Sequence, residues 1–505
     1  MNHSKALTLC FLLATVSLTA CSGLGNVCHT NCTQNGGTAT LSVTLQAKPL
    51  APPPNTNILS YAVAIGGITL TPASGNTVHI TGSATFDLMR LQSDSGFLGT
   101  FSTTLPAGTY TSLTVALNSA TATYCTSTQG VPGCTPGSVT AVPDSGPSVA
   151  TITFPNGGLV LTSNEQAGLS VDFNMADTLT VSNQKVTSVN LGPAAVNILT
   201  TITLGSTHPS SLAANQLDYL DDVTGTVAVS GNSVTVTANY GTITAVADGN
   251  TFYSPNCTAL GLALSIACVQ ANQVASINAV LNADGTLKLI SYDPFPVLNA
   301  TKTDWIEGTV SYAPTSSAQF FIVANDASVS TSGSLLPKPF PTGSPITVNL
   351  ANGAIFGVDT QGLNVPADVT NFEGTLAATA LLPGQTVALH ITNFALTGGL
   401  PGGILVTADA VELRFTRVAG TASIGGNGSS FSLSSTSLPP YFGFTTANQL
   451  VELTNGTPPS TNTTFYDGVT NSTNISSGQT YSIRALYFGQ LDSFPFVAAK
   501  VRQNP

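Results

Sequence analysis

The sequence predicts an all-β protein, with one β-sandwich domain followed by about three small β-barrel or β-sandwich modules. Composition is the first ground. Only 7% of the residues are charged and mean hydropathy is +0.28, yet the apolar side chains are scattered among Thr, Ser, Gly and Asn instead of gathered into long runs. Many half-buried strands joined by tight turns require that mixture. Alternation is the second ground. Leu41-Ser42-Val43-Thr44-Leu45 has period two, and strand-like segments return at Tyr61 to Leu70, Val78 to Ile80 and Leu113 to Leu117. Self-similarity further along the chain is the third.

The chain opens on an export signal. Lys5 supplies the positive start, and the stretch from Ala6 to Val16 is apolar but too short to span a bilayer. Leu18-Thr19-Ala20-Cys21 resembles the lipobox of bacterial lipoproteins, where the cysteine thiol receives a diacylglyceryl group. The resemblance implies a signal peptide over residues 1–20, a lipidated, palmitate-bearing Cys21 and a tether over 21–37. Each buried methylene adds about 0.8 kcal/mol, so two or three acyl chains make a lasting anchor. Ser22 after the cysteine implies delivery to the outer membrane of a Gram-negative bacterium. The expected partner is therefore a membrane, reached through lipid.

Removing the signal leaves 11 basic against 23 acidic residues, since Lys5 departs from the 12. A polyanion-binding protein needs basic side chains to displace counterions, so nucleic acid is excluded as a partner. Six cysteines remain after Cys10 and Cys21, and they fall into local couples: Cys28 with Cys32, Cys125 with Cys134, and Cys257 with Cys268. An even count in an exported chain favours disulfides. Cys28-His29-x-x-Cys32 lacks a nearby fourth ligand for zinc, and no metal or cofactor is expected.

Residues 38–204 read as the sandwich. Phe86-Asp87-Leu88-Met89-Arg90-Leu91, Leu105-Pro106-Ala107-Gly108-Thr109-Tyr110, Leu169-Ser170-Val171-Asp172-Phe173 and Gly192-Pro193 resemble an uncharacterised domain of unknown function common in bacterial lipoproteins. Its marks are an apolar "DL-x-x-L" element and an "L-x-A-G-x-Y" turn. The chain departs from it at Gln46-Ala47-Lys48-Pro49, where the family often has Asp-Ala-Pro. The resemblance implies a transthyretin-like or immunoglobulin-like sandwich and no activity. Tyr110 then anchors a strand after the Gly108 turn, and Asp87 ends another.

Three modules follow, at 218–297, 302–415 and 416–505. Val223-Thr224-Gly225-Thr226-Val227, Ile306-Glu307-Gly308-Thr309-Val310 and Val418-Ala419-Gly420-Thr421-Ala422 share an apolar-x-Gly-Thr-apolar pattern. Thr251-Phe252-Tyr253, Ala354-Ile355-Phe356 and Thr464-Phe465-Tyr466 supply an aromatic second landmark. Asn272-Gln273-Val274, Gly384-Gln385-Thr386-Val387 and Gly478-Gln479-Thr480-Tyr481 supply a third. The units resemble another uncharacterised bacterial family of small barrels, reminiscent of OB-folds. The Gly-to-Gly spacings are 83 and 112, so the middle unit carries an insertion. Gly231-Asn232 joins a hairpin in a primed turn, with Val229 opposite Val234 and Val227 opposite Val236 on one buried face.

No catalytic constellation emerges. His29, His79, His208 and His390 lack acid pairs at short spacing, and no Gly-x-Ser-x-Gly elbow is present. Asp218, Asp221 and Asp222 lack the calcium-loop pattern and read as a solvated linker. Tyr441, Phe442 and Phe444 are the candidate docking rings for a glycan or small ligand, with core packing as the other reading; Trp305 reads as a module-junction anchor. The expected function is a structural or interaction role, that of a non-enzymatic surface lipoprotein of the cell envelope that contacts envelope proteins or glycans. The alternative is a glycan- or small-ligand-binding surface protein.

Overall fold

The computed structural model describes residues 37–503 apart from 50–56, 102–104, 129, 145, 184, 204–210, 296–303, 314–317, 330–332, 366–371, 399–402, 455–461 and 490–493. The signal peptide, Cys21, the tether, Cys28, His29, Cys32 and His208 lie outside the described residues.

The sandwich is built from β1 (Thr40–Lys48), β2 (Asn57–Pro72), β3 (Val78–Asp87), β4 (Gly96–Phe101), β5 (Gly108–Cys125), β6 (Thr140–Pro143), β7 (Ser148–Thr153), β8 (Leu159–Leu161), β9 (Gln166–Asn174), β10 (Leu179–Ser182), β11 (Lys185–Val189) and β12 (Val196–Thr203). One sheet runs β12-β9-β1-β4, with β1 parallel to β9. The other runs β3-β2-β5, and β6, β7 and β8 all pair along the length of β5. Leu41, Val43 and Leu45 of β1 and Leu113, Val115 and Leu117 of β5 are fully buried in the same core, as period-two alternation demands. The Tyr110 hydroxyl donates to the Pro106 carbonyl at 2.6 Å and pins the turn that starts β5.

Three barrel-like sheets follow. The first contains β13 (Gln216–Ser230), β14 (Ser233–Ala238), β15 (Gly241–Val246), β16 (Phe252–Tyr253), β17 (Val274–Asn282) and β18 (Leu287–Pro294). The second contains β19 (Trp305–Tyr312), β20 (Gln319–Ser328), β21 (Pro345–Val358), β22 (Gly374–Thr375), β23 (Thr386–Leu396) and β24 (Ile404–Arg414). The third contains β25 (Thr416–Ile424), β26 (Ser430–Ser434), β27 (Asn448–Leu453), β28 (Phe465–Asp467), β29 (Thr480–Tyr487) and β30 (Phe496–Gln503). The first and third share one strand order, β15-β14-β13-β17-β18-β16 and β27-β26-β25-β29-β30-β28, each closed by a parallel pair, β15 with β18 and β27 with β30. In the second barrel the long β21 covers two of these positions. Its first half pairs with β20 and β24, and after a register shift between Leu350 and Ile355 its second half continues along β24, the place that β16 and β28 take in the other barrels.

Local chemistry explains the recurring motifs. A Cβ on Gly225 would lie 2.2 Å from the Thr237 carbonyl oxygen, and one on Gly308 would lie 2.6 Å from that of Val323. The neighbouring strand backbone presses too close for any side chain. Asn272, Gly384 and Gly478 hold φ of +67°, +95° and +84°. That left-handed turn lets their N–H groups donate to Val227, Val310 and Ala422 at 2.8, 2.9 and 2.8 Å, while the carbonyls of Gln273, Gln385 and Gln479 accept from the same three residues. The glycine strand and the turn, Asn-Gln in the first barrel and Gly-Gln in the other two, thus lock each barrel at one corner.

The predicted hairpin register is present: Val229 pairs with Val234 and Val227 with Val236, and Gly231 has φ +59°. Val227, Val234 and Val236 are buried, but Val229 is 37% exposed because it sits at the tip, past the edge of the core. Cys125 is bonded to Cys134 and Cys257 to Cys268. The first disulfide closes a loop that reaches both later barrels: Cys134 N–H donates to Ser311 at 2.8 Å and Gly133 N–H to Tyr441 at 2.7 Å.

Candidate functional site

Charge in this chain is scarce, and it is concentrated in the interior. Of the five arginines, Arg90, Arg414, Arg484 and Arg502 are buried, as is Lys500, and the side chain of the fifth, Arg417, is only 3% exposed. They meet where the outer faces of the three barrels converge on the 3-10 turn Arg90–Gln92 of the sandwich.

Asp222 is the centre of this network. It lies in β13 at a bulge, where the pairing with β17 shifts between Leu220 and Val223, and it takes φ +53°. Its Oδ2 accepts from Arg90 at 3.3 Å and from Arg417 at 2.5 Å, and its Oδ1 accepts from Arg414. These arginines come from the sandwich, the third barrel and the second barrel in turn. Ser276 donates to Oδ1 at 2.5 Å and Gln361 at 2.8 Å, which completes the oxygen's shell. Glu307 of β19 is a second centre, 3.2 Å from Arg90, 3.4 Å from Arg417 and 3.6 Å from Arg414.

Two branches extend outward. Lys500 of β30 pairs with Asp221 at 2.7 Å, and Arg484 of β29 donates to Gln361 with its plane over the Phe415 ring. Arg502 pairs with Asp467 at 2.6 Å and donates to the carbonyls of Leu91 and Asp94 at 3.2 and 2.9 Å. Asp94 in turn accepts from Arg417 at 2.9 Å. At the other side of the turn, Asp87 accepts from Tyr61 and Met89 N–H groups at 2.9 and 3.1 Å and from Asn325 of the second barrel at 2.6 Å. Two cavities of about 30 Å³ flank Arg90, and one of about 20 Å³ touches Arg484. Each has charged side chains in its lining and the size for a bridging water.

The electrostatics follow from burial opposed by pairing. Burial lifts the Asp222 carboxyl, but Arg414, Arg417 and Arg90 outweigh it and hold the group well below the usual carboxylate range. Asp94 is lowered in the same way, with Arg417 the leading opponent of burial. Asp326, with Arg90 at 3.4 Å, is pushed up to about 7 because burial prevails over the arginine.

The sequence reading of Asp218, Asp221 and Asp222 as a solvated linker is corrected: they lie within β13 and are 2%, 5% and 0% exposed. Tyr441, Phe442 and Phe444 are buried too, so the reading of them as exposed docking rings is also corrected. Phe442 stacks on Phe444 at 5.4 Å and meets Tyr487 edge-on at 5.0 Å, because the segment fills the junction beside the Cys125–Cys134 loop. His79 is exposed and bonded to Thr69 and Thr77 at 2.8 and 2.9 Å. His390 is buried against Trp305 and bonded to Asp409 at 2.6 Å. Among the described residues no group of three or more His, Cys, Asp or Glu is arranged to hold a metal ion. No helix among them is long and apolar enough to cross a membrane.

Sequence reasoning passed over the arginines. Their signal was present: Leu413-Arg414-Phe415, Ile483-Arg484-Ala485 and Val501-Arg502 each set a lone cation in an apolar strand, where a buried partner must be supplied.

The segment that delivers Asp87, Arg90 and Asp94 to the network is also the one that carries a family mark. Residues 38–193 match the family described as a domain of unknown function, DUF4382. The match covers β1 to β11 of the sandwich, and β12 and the three barrels lie beyond it. No curated protein and no solved structure matches the chain. In the matched region, Asp87-Leu88-Met89-Arg90-Leu91 faces two ways: Leu88 and Leu91 enter the sandwich core, while Asp87 and Arg90 reach the other domains.

Proposed function

We propose that this protein is a lipid-anchored envelope lipoprotein whose four domains act as one rigid body with a structural or interaction role and no catalysis. The observation that carries this reading is the Asp222 carboxylate, which accepts from arginines of the three other domains. A flexible string of modules has no use for such a centre, because buried charges must be desolvated and held in exact pairing before they favour assembly. A rigid display unit does. In this reading the three barrels are repeats of one OB-like module, Cys21 carries the lipid, and the outer membrane of a Gram-negative cell is the destination. Envelope proteins or glycans are the proposed contacts.

Metabolic labelling with a radioactive fatty acid tests the anchor. Wild type should incorporate label and sediment with membranes, and Cys21→Ala should do neither while remaining folded. Label retained by that variant would sink the anchor. Protease shaving and crosslinking on intact cells test the interaction role: recovery of the protein uncrosslinked to any envelope component would count against it.

A further inference from the structure

Where the first barrel meets the second, three carboxyl groups are buried together. Asp293 closes β18, Asp359 follows β21 and Glu412 lies in β24, and they are 2%, 1% and 4% exposed. Asn256 of the first barrel donates to Asp293 at 3.0 Å and to Glu412 of the second at 3.4 Å. The neighbouring Asp359 carboxylate disfavours the ionised form of Asp293. Glu412 Oε2 has no hydrogen-bond partner among the described residues and lies 3.6 Å from Arg414 Nη1.

Among the described residues, one cation pairs directly with these carboxyls. Arg414 pairs with Asp359, but the same guanidinium also serves Asp222 of β13 and faces Glu307 of β19. Ser254, Tyr292 and Gln361 are the other polar neighbours, and Gln361 donates to Asp359 at 2.9 Å through its N–H. Asp222 is also compensated by Arg90 and Arg417, but with Asp293, Asp359 and Glu412 all ionised beside Arg414 the junction would hold an uncompensated excess of negative charge out of water. Protons on Asp293 and Glu412 remove the excess.

We propose that this junction is a proton-dependent clasp: a proton on Asp293 and a second on Glu412 tighten the contact between the first and second barrels, and losing them loosens the junction around Phe295 and Trp305. Burial and the neighbouring Asp359 raise both groups, Glu412 to about 8 and Asp293 well above its ordinary value. A carboxyl that is raised in the closed form binds its proton more tightly there than when open. The contribution of Glu412 to closure is therefore fully present below the ordinary value of 4.5, weakens as pH rises, and is lost as pH passes through about 8.

A reporter is already in place. Trp305, the single tryptophan, packs 4.5 Å from Phe295 in the apolar patch of the same junction and is 1% exposed. Its emission should be followed from pH 5 to 10 on the purified full chain, alongside far-ultraviolet circular dichroism. The expected result is a reversible red shift centred near the Glu412 value of about 8, with secondary structure unchanged. Asp293→Asn and Glu412→Gln imitate the protonated groups, and each should shrink the shift or move its midpoint upward. If one variant fails to fold, the other still decides. Emission that stays constant until the circular dichroism collapses would overturn the clasp. So would a shift that persists with the wild-type midpoint in both variants, as it would if His390, 5.3 Å from the indole, were its source.

Discussion

Arg90 and Asp222 are 132 positions apart in the chain and meet at 3.3 Å with neither side chain more than 10% exposed. Arg90 also donates to the Asp222 backbone carbonyl at 3.0 Å, so the sandwich grips the bulge of the first barrel by both side chain and main chain. Asp222→Asn should therefore be severe. Removing one member of a buried pair leaves uncompensated charge and typically costs about 3–5 kcal/mol, and here three guanidinium groups lose one shared partner together. Asp248→Asn is the comparison. Its pair with Lys288, at 2.9 Å, is 42% and 34% exposed, so a loss within about 1 kcal/mol is expected. Denaturant unfolding of both variants makes the test, and equal losses would remove Asp222 from its central place.

The same residue sets the behaviour in acid. Asp222 and Asp94 are both held below their ordinary value of 3.8 despite burial, because the arginines prevail. Their contribution is present above that value and is lost as pH falls through the lowered one. Urea midpoints measured from pH 6 down to pH 3 should stay nearly level with respect to these groups until about pH 4 and then drop. In Asp222→Asn the drop should be shallower. A variant with the wild-type slope would show that other carboxyls control acid unfolding.

The barrel motifs were legible because their causes are local. Gly225 and Gly308 mark places where backbone meets backbone, and Asn272, Gly384 and Gly478 mark left-handed turns; both demands act on the residue itself and so leave a trace in sequence. The network left almost none. Asp218-Tyr219-Leu220-Asp221-Asp222 reads as a solvated acidic stretch because the residues that neutralise it, Arg90, Arg414, Arg417 and Lys500, come from elements far along the chain. Likewise Pro440-Tyr441-Phe442 has the composition of an exposed aromatic platform, and only the arrival of the Cys125–Cys134 loop and Phe496 makes it interior.

Gly225→Ala and Gly308→Ala test the backbone contact. Each new methyl meets a carbonyl oxygen of the neighbouring strand at 2.2 and 2.6 Å, which can be relieved only by moving the strand. Overpacking of this kind costs about 1–3 kcal/mol. Gly357→Ala, in β21, meets nothing within 4 Å and should be close to neutral. Thermal unfolding of the three variants would expose a mistake if Gly357→Ala proved as harmful as the others.

The two disulfides should differ in what they protect. Cys257–Cys268 lies inside the first barrel, with both cysteines in that barrel's core cluster, so Cys257→Ser with Cys268→Ser should lower one barrel's stability by about 2–4 kcal/mol. Cys125–Cys134 belongs instead to the cluster containing Tyr441, Phe442 and Phe444 of the third barrel and Val323 of the second. Its loop is fastened on both sides, by Cys134 to Ser311 and by Gly133 to Tyr441, and a Cβ on Gly443 would lie 2.5 Å from the nitrogen of Pro132. Asn57 extends the joint, donating to Ser127 at 2.8 Å and accepting from the Tyr441 N–H at 3.2 Å. Releasing this loop frees the sandwich from two barrels at once. Cys125→Ser with Cys134→Ser should therefore split a single calorimetric transition into two and open the sandwich–barrel boundary to limited proteolysis, which the Cys257 and Cys268 double variant should not do. Identical melting profiles for the two double variants would make the first disulfide a purely local staple.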